Sequence, residues 1–305
     1  VGIYSSDDAG ALHVRIADQA VALDGVGASA YLDIDQVIAA AVTSGCDAVH
    51  PGYGFLSENS EFARRCEVEG LVFVGPSVEA LELFGDKARA RSLAVDQDVP
   101  VLPGSAGPVT LQEAEAFFHE LGSDGAMLIK AIAGGGGRGM RVVREAAELE
   151  AAYARCRSEA EAAFGNPDVF VERLIERARH IEIQIVGDGL GAVSQLGERE
   201  CSVQRHHQKV VEIAPSPVLD DDLRSSIAAA AVRMATATRY RSLGTFEFLV
   251  DASTAEDFVF IEANPRLQVE HTVTEEVLAI DLVQAQLRLA GGDSLEVVGL
   301  EQSQI

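Results

Sequence analysis

The sequence predicts an α/β fold over residues 1–84 and an α+β fold after it. Three observations carry this. Short apolar strands alternate with amphipathic helices from the start to about residue 84, the pattern of a parallel sheet covered by helices. From about residue 102 strands follow one another across short turns, with helices between the groups. Finally, FVFIEANPRLQVEH at 258–271 drives an apolar strand straight into acids, amides and a cation.

Composition limits what such a chain can do. Its 305 residues suffice for two or three packed units, and 48% hydrophobic with 24% charged residues is ordinary for a globular protein. A formal charge of −24 argues against nucleic acid or an anionic membrane as partner, since both need a basic face. No apolar run approaches the ~20 residues of a membrane span, and no signal-peptide pattern is present. Cys46, Cys66, Cys156 and Cys201 lack CxxC spacing, so reduced thiols in a cytoplasmic setting are expected. Val1-Gly2-Ile3-Tyr4 reads as the inside of a strand, and the end follows closely on a helix, so the fold is expected to be truncated at both ends.

In chain order, 1–4 and 19–23 read as strands and 35–44 as a helix with Ile34, Val37, Ile38 and Val42 at helical spacing. A strand at 47–50 precedes a helix over 60–70 that Ser60 can cap and Gly70 can end, and 71–74 is the next strand. Ligands of such sheets gather beyond the strands' carboxyl ends. HPGYGFLSEN at 50–59 sits there, and its Tyr53 and Phe55 exceed the needs of a plain turn.

Residues 86–96 read as a helix carrying Lys87, and the proline-stiffened 99–104 as a connector. A small unit follows: helix 111–121, strand 126–131, a glycine loop, strand 140–144, helix 145–164 and strand 169–174. GGGGRG at 134–139 formally satisfies GxGxxG, but Met140 to Arg144 alternate like a strand, so these glycines do not open a helix. No Gly-Lys-Ser/Thr follows either. A phosphate-covering flap fits, with a flexible surface hairpin as the alternative. The kinase catalytic-loop and DFG signatures are missing.

Lysine usage adds a separate argument. The chain has 21 arginines and three lysines, Lys87, Lys130 and Lys209. Where arginine serves every general need, a retained lysine marks a place for a compact ammonium. Glu172, at the end of strand 169–174, suits either a contact to an adenine or ribose or an exposed edge. Residues 181–186 alternate strictly and predict half-exposed antiparallel strands. The cluster QRHHQK at 204–209 fits an anion better than zinc, because adjacent histidines on a strand face opposite ways. A long helix over 220–240 is placed to brace the strands that follow.

Those strands, 245–250 and 258–261, predict a hairpin that brings Glu247 and Glu262 together in a dry setting. Two carboxylates and the amide of Asn264 are hard oxygen donors suited to Mg²⁺ on nucleotide phosphates. The alternative is a buried ion pair with Arg266 neutralising one acid.

HPGYGFLSEN (50–59), KAIAGGGGRGMRVV (130–143), CSVQRHHQKVVEIAPSP (201–217), GTFEFL (244–249) and FIEANPRLQVEHTVTE (260–275) together resemble biotin carboxylase, the ATP-grasp component of biotin-dependent carboxylases. The resemblance spans almost the whole chain. It implies a Rossmann-like N-terminal domain (1–84) lacking its first strand, a helix and connector (85–101), an ATP-grasp lid (102–174) and an incomplete C-terminal ATP-grasp domain (175–305). By position it implies ATP contacts from Lys87, Lys130, Gly136, Gly137, Glu172, Arg173 (through its backbone), Ile175, His180, Gln204 and His207. It implies Mg²⁺ or Mn²⁺ on Glu247, Glu262 and Asn264, and bicarbonate on Lys209, Arg266, Gln268 and Val269. Glu270 is the implied general base, with Arg266 and Lys209 completing the catalytic set.

The implied reaction activates bicarbonate with ATP through carboxyphosphate and passes CO₂ to biotin. No Met-Lys-Met biotinylation site occurs, so biotin is expected on a separate carrier domain or subunit, beside a carboxyltransferase in a homo- or hetero-oligomer. An arginine that touches biotin is expected beyond Ile305. The expected setting is an acyl-CoA carboxylase of fatty acid metabolism, although the final acceptor is chosen by the carboxyltransferase. Two alternatives stand: another ATP-grasp ligase, such as a carbamoyl-phosphate synthase half, and a catalytically silent nucleotide-binding regulatory module.

Overall fold

The computed structural model describes residues 1–122, 125–132, 139–205, 208–253 and 258–304. The first stretch holds β1 (Gly2–Tyr4), α1 (Leu12–Ile16), β2 (Ala20–Ala22), α2 (Ile34–Thr43), β3 (Ala48–Val49), α3 (Ser60–Val68), β4 (Val72–Phe73) and α4 (Val78–Gly85). β1 pairs with β2 and β3 with β4, both parallel. The single parallel sheet expected is therefore two separate pairs among the described residues, with an apolar groove of about 300 Å³ lined by Ile3 on one side and Val49 and Val74 on the other. Phe62, Cys66, Leu71, Phe73 and Leu81 form the core beneath the helices. Helix α3 is capped by Asn59 rather than Ser60: the Asn59 Oδ1 accepts from the Phe62 N–H at 2.8 Å, and Ser60 is already helical. Helix α4, capped by Ser77, is an addition to the sequence reading.

Next come α5 (Lys87–Asp96), α6 (Leu111–Glu120), β5 (Met127–Ala131), β6 (Met140–Val143), α7 (Ala146–Phe164) and β7 (Val169–Arg173). Asp86 caps α5 by accepting from two backbone N–H groups, and Thr110 with Glu113 forms a capping box on α6. The sheet order is β6-β5-β7, antiparallel throughout. Helices α6 and α7 pack on it around Met127, Ile129, Val143, Leu149, Val169 and Val171. Gly136 and Gly137 lie outside the described residues, but Lys130 pairs with Met140 across β5 and β6, so the glycine loop joins two strands as the alternation predicts.

The rest comprises β8 (Ala178–Asp188), β9 (Val193–Arg205), β10 (Gln208–Ile213), α8 (Asp221–Ala237), β11 (Arg241–Asp251), β12 (Phe258–Asn264), α9 (His271–Leu278), α10 (Leu282–Ala290) and α11 (Leu295–Val298). Its five strands run β10-β9-β8-β11-β12, all antiparallel. Here the half-exposed expectation for 181–186 fails, since every residue from Ile181 to Val186 is buried. Helix α8 and Phe84 cover one face through Ile181, Ile183 and Ile185, and α10 packs on the other around Val186, Leu243 and Leu282. The acids and amides that alternate with the isoleucines thus face a covered polar interior. Phe84 stacks edge-on against Phe246 at 5.2 Å and Tyr240 at 6.0 Å, tying α4 to this sheet. At Gly244 the strand runs so near Tyr240 that an added Cβ would lie 2.2 Å from its hydroxyl oxygen. No helix among the described residues is long and apolar enough to cross a membrane.

Candidate active site

The hairpin predicted from the sequence forms, and its register sets Glu247 opposite Glu262. Glu247 is 3% exposed and receives four hydrogen bonds or ion pairs. His180 Nε2 lies 2.5 Å from one oxygen; Lys209 Nζ at 3.0 Å, Asn264 Nδ2 at 2.8 Å and Gln268 Nε2 at 2.9 Å meet the other. Burial alone would raise its proton affinity, but these partners outweigh burial and hold the carboxyl below the ordinary range. Glu262 moves the opposite way, pushed up by burial and then by the charge of Glu247.

Lys209 projects from β10 among three carboxylates: Glu182, Glu247, and Glu270 at 2.5 Å. Burial works against its charge, and Glu247 and Glu182 more than compensate, so the ammonium is held charged well above the usual lysine range. His180 Nδ1 meets Gln204 Nε2 at 3.0 Å.

Arg266 does not neutralise a hairpin acid. Its Nε pairs with Glu58 of the HPGYGFLSEN loop at 3.3 Å, and its Nη2 donates to Asn264 Oδ1 at 3.2 Å. Because Pro265 ends β12, the chain turns there and carries the guanidinium to the loop instead of back along the strand. His50 anchors the same loop, accepting from the Gly52 N–H at Nδ1 and meeting Gln286 of α10 at 3.1 Å through Nε2.

A cavity of about 950 Å³ gathers most of the expected residues. Lys87, His180, Gln204 and Lys209 line one part; Glu247, Glu262 and Asn264 another; Arg266, Gln268, Val269 and Glu270 a third. Tyr53 and Glu58 complete the wall. Lys130, Glu172, Arg173 and Ile175 stand apart, on and after the strands of the β5–β7 sheet. Lys130 forms an ion pair with Glu172, which is 8% exposed, so the exposed-edge alternative for Glu172 does not hold. The Arg173 N–H donates to Pro103 O at 2.8 Å. Lys87 also lines a second cavity of about 400 Å³ with Phe170 and Ile132. His207, like Gly136 and Gly137, lies outside the described residues.

Three site residues escape the sequence reading. Glu182 holds Lys209, Arg199 holds Glu182, and Glu58 holds Arg266. The signal for the first was present in the alternation of Ile181, Glu182, Ile183, Gln184 and Ile185.

The fold and this site define an ATP-grasp enzyme. Residues 1–81 match the family described as "Biotin carboxylase, N-terminal domain", and residues 86–298 the one described as "Carbamoyl-phosphate synthase L chain, ATP binding domain". A biotin carboxylase from Campylobacter jejuni, solved as a β,γ-ATP complex, is 43% identical with a TM-score of 0.93, covering 99% of this chain and 67% of that one. The biotin carboxylase domain of 2-oxoglutarate carboxylase from Hydrogenobacter thermophilus, solved with MgADP, ADP and bicarbonate, is 43% identical with a TM-score of 0.92, over 99% and 66%. Pyruvate carboxylase of Aspergillus niger is 51% identical over 310 residues, which is 100% of this chain and 26% of that protein. The chain belongs to the biotin carboxylase family, a family of ATP-dependent ligases. It spans about a quarter of the length of the curated relatives it matches.

Proposed function

We propose that this chain catalyses the ATP-dependent carboxylation of carrier-linked biotin by bicarbonate. The observation that carries the reading is Lys209, one half-buried ammonium placed between Glu247 of the acidic hairpin and Glu270 at the cavity wall. A cation so placed can hold a small anion beside both a phosphate-facing acid and a base.

Glu247 and Glu262 fit a divalent cation. Glu247 is buried and Glu262 half-buried; the facing carboxylates repel, and the Glu262 carboxylate makes no hydrogen bond among the described residues. Mg²⁺ or Mn²⁺ held there would offset the charge of the ATP phosphates. Asn264 is the weaker candidate ligand, because its amide oxygen is engaged by Arg266.

The chain's own groups then divide the work. Lys87, Lys130 and His180 neutralise the triphosphate, while Glu172, Arg173, Ile175 and Gln204 hold the nucleoside end and its approaches. Lys209, Arg266, Gln268 and the backbone of Val269 hold bicarbonate. Glu270 removes the bicarbonate proton, the oxygen so freed attacks the γ-phosphorus, and the bond from that phosphorus to the bridging oxygen breaks, releasing ADP and leaving carboxyphosphate. Residues 102–174 close as a lid and keep water from that intermediate. Carboxyphosphate breaks at its C–O bond into CO₂ and phosphate, the phosphate takes the N1 proton of biotin brought by a separate carrier domain or subunit, and that nitrogen attacks the CO₂.

The pairing of Glu58 with Arg266 makes the HPGYGFLSEN loop part of the site, and the match over residues 1–81 favours biotin over an amine acceptor. The acyl-CoA setting expected from sequence finds less support than a 2-oxo acid, given the named relatives. We therefore propose pyruvate as the final acceptor, reached through a carboxyltransferase. Phosphate release from ATP and bicarbonate, measured with and without biotin in the full-length protein, tests the reading. Release stimulated by biotin is expected; release indifferent to biotin, or stimulated only by an amine, rejects it.

A further inference from the structure

Beneath the bicarbonate side lies Arg199 of β9, fully buried at 0% exposure. A guanidinium in such a place needs an acceptor for each of its five N–H groups. Five are present. Nε donates to Glu182 Oε1 at 2.5 Å; Nη1 to Gln184 Oε1 at 2.9 Å and Thr274 Oγ1 at 2.8 Å; Nη2 to Thr245 Oγ1 at 3.3 Å and Gln268 Oε1 at 3.4 Å. These acceptors come from β8, β11, α9 and the turn after β12, so one side chain gathers four segments at the floor of the cavity.

Two of the contacts reach functional groups. Glu182 gives one oxygen to Arg199 and the other to Lys209. Without Arg199, Glu182 would rely on Lys209 alone and draw the ammonium away from Glu247 and Glu270. Arginine can only donate, so Gln268 must turn its Oε1 toward Arg199, which leaves its Nε2 facing Glu247 at 2.9 Å. The amide's orientation follows from that chemistry.

We propose that Arg199 is a positioning residue for bicarbonate activation, setting the Lys209 ammonium through Glu182 and the amide of Gln268 directly. The inference rests on the assignment of Lys209 and Gln268 to the bicarbonate pocket. Arg199 itself touches no substrate.

The test uses the full-length protein with Arg199→Met, Arg199→Lys, the double variant Glu182→Gln/Arg199→Met, and Lys209→Gln. Phosphate release is measured against bicarbonate, and MgATP affinity and thermal melting are measured separately. Arg199→Met is expected to raise the bicarbonate KM roughly 10- to 100-fold, the range seen when an orienting partner is removed, with MgATP affinity kept within about twofold. The double variant, which removes both charges, is expected to recover most of that loss. Arg199→Lys keeps a partner for Glu182 but not the five-fold fork, and is expected to fall between wild type and Arg199→Met.

Loss of MgATP affinity in step with bicarbonate, or a double variant no better than Arg199→Met, would show a merely structural staple and overturn the inference. If Arg199→Met does not fold, Arg199→Lys decides: a raised bicarbonate KM at unchanged MgATP affinity supports it, and a wild-type KM overturns it. Lys209→Gln separates the two layers. An unchanged bicarbonate KM there removes the functional reading itself, whereas a raised one beside a normal Arg199→Met removes only the role of Arg199.

Discussion

Replacing Lys209 by glutamine removes the charge at the centre of the site while leaving an N–H donor of similar reach. The ammonium lies 3.0 Å from Glu247 Oε1 and 2.5 Å from Glu270 Oε1, with its side chain 18% exposed. At an effective dielectric constant near 20, a unit charge pair at about 3 Å is attracted by roughly 5.5 kcal/mol. Desolvation of the half-buried ammonium cancels much of this, and a hydrogen bond to a charged group nets about 1.5–3 kcal/mol. If bicarbonate replaces one carboxylate as the partner, that amount is lost from its transition state. The loss corresponds to about 10- to 150-fold in kcat/KM for bicarbonate. MgATP, proposed to be held by Lys87, Lys130 and His180, should change by less than about threefold, within the usual scatter for uncoupled sites. Initial-rate phosphate release with each substrate varied in turn, plus calorimetric titration with MgATP, gives both numbers. Equal loss of the two affinities would refute the placement of bicarbonate at Lys209.

Two further outcomes follow from the acidic hairpin. Glu262→Gln removes one of two facing carboxylates, so half-maximal activity should require roughly tenfold more Mg²⁺; an unchanged requirement in a metal titration contradicts the ligand assignment. Glu247 has a folded-state proton affinity below its unfolded value of 4.5, so the native state binds fewer protons than the unfolded one near that pH. Its contribution to stability is then complete above about pH 4.5 and lost as the pH falls further. Glu247→Gln should therefore lower the denaturation midpoint at pH 6 but differ less from wild type at pH 3, and an equal difference at both contradicts the cause given.

Much of this site was legible because its residues sit where local rules are strong. The apolar strands around Glu247 and Glu262 are joined by a short polar stretch that favours a hairpin, and Pro265 ends one of them, so the facing acids followed. Lys209 stood out because arginine had taken the other cationic positions. Glu182 and Arg199 were not legible for a physical reason. A strand of alternating isoleucine and polar residues looks the same whether its polar face meets water or a covered interior, and only packing against α9 and α10 decides. The alternative that pairs Arg266 with a hairpin acid fails because its partner, Glu58, is far away in the chain and no local pattern points to it. The cap of α3 was misplaced by one residue because Asn59 and Ser60 are both good caps, and only the backbone shows which stands outside the helix. The parallel sheet of the first 84 residues could be expected from alternation, but strand order could not, and two separate pairs were found.

In the proposed reaction bicarbonate, held at Lys209 and deprotonated by Glu270, attacks the γ-phosphorus of ATP. Bicarbonate labelled with ¹⁸O, incubated with MgATP, biotin and the full-length protein, tests this at the atom that moves. Each inorganic phosphate formed is expected to carry one oxygen from bicarbonate. Phosphate carrying oxygen from water alone would contradict it.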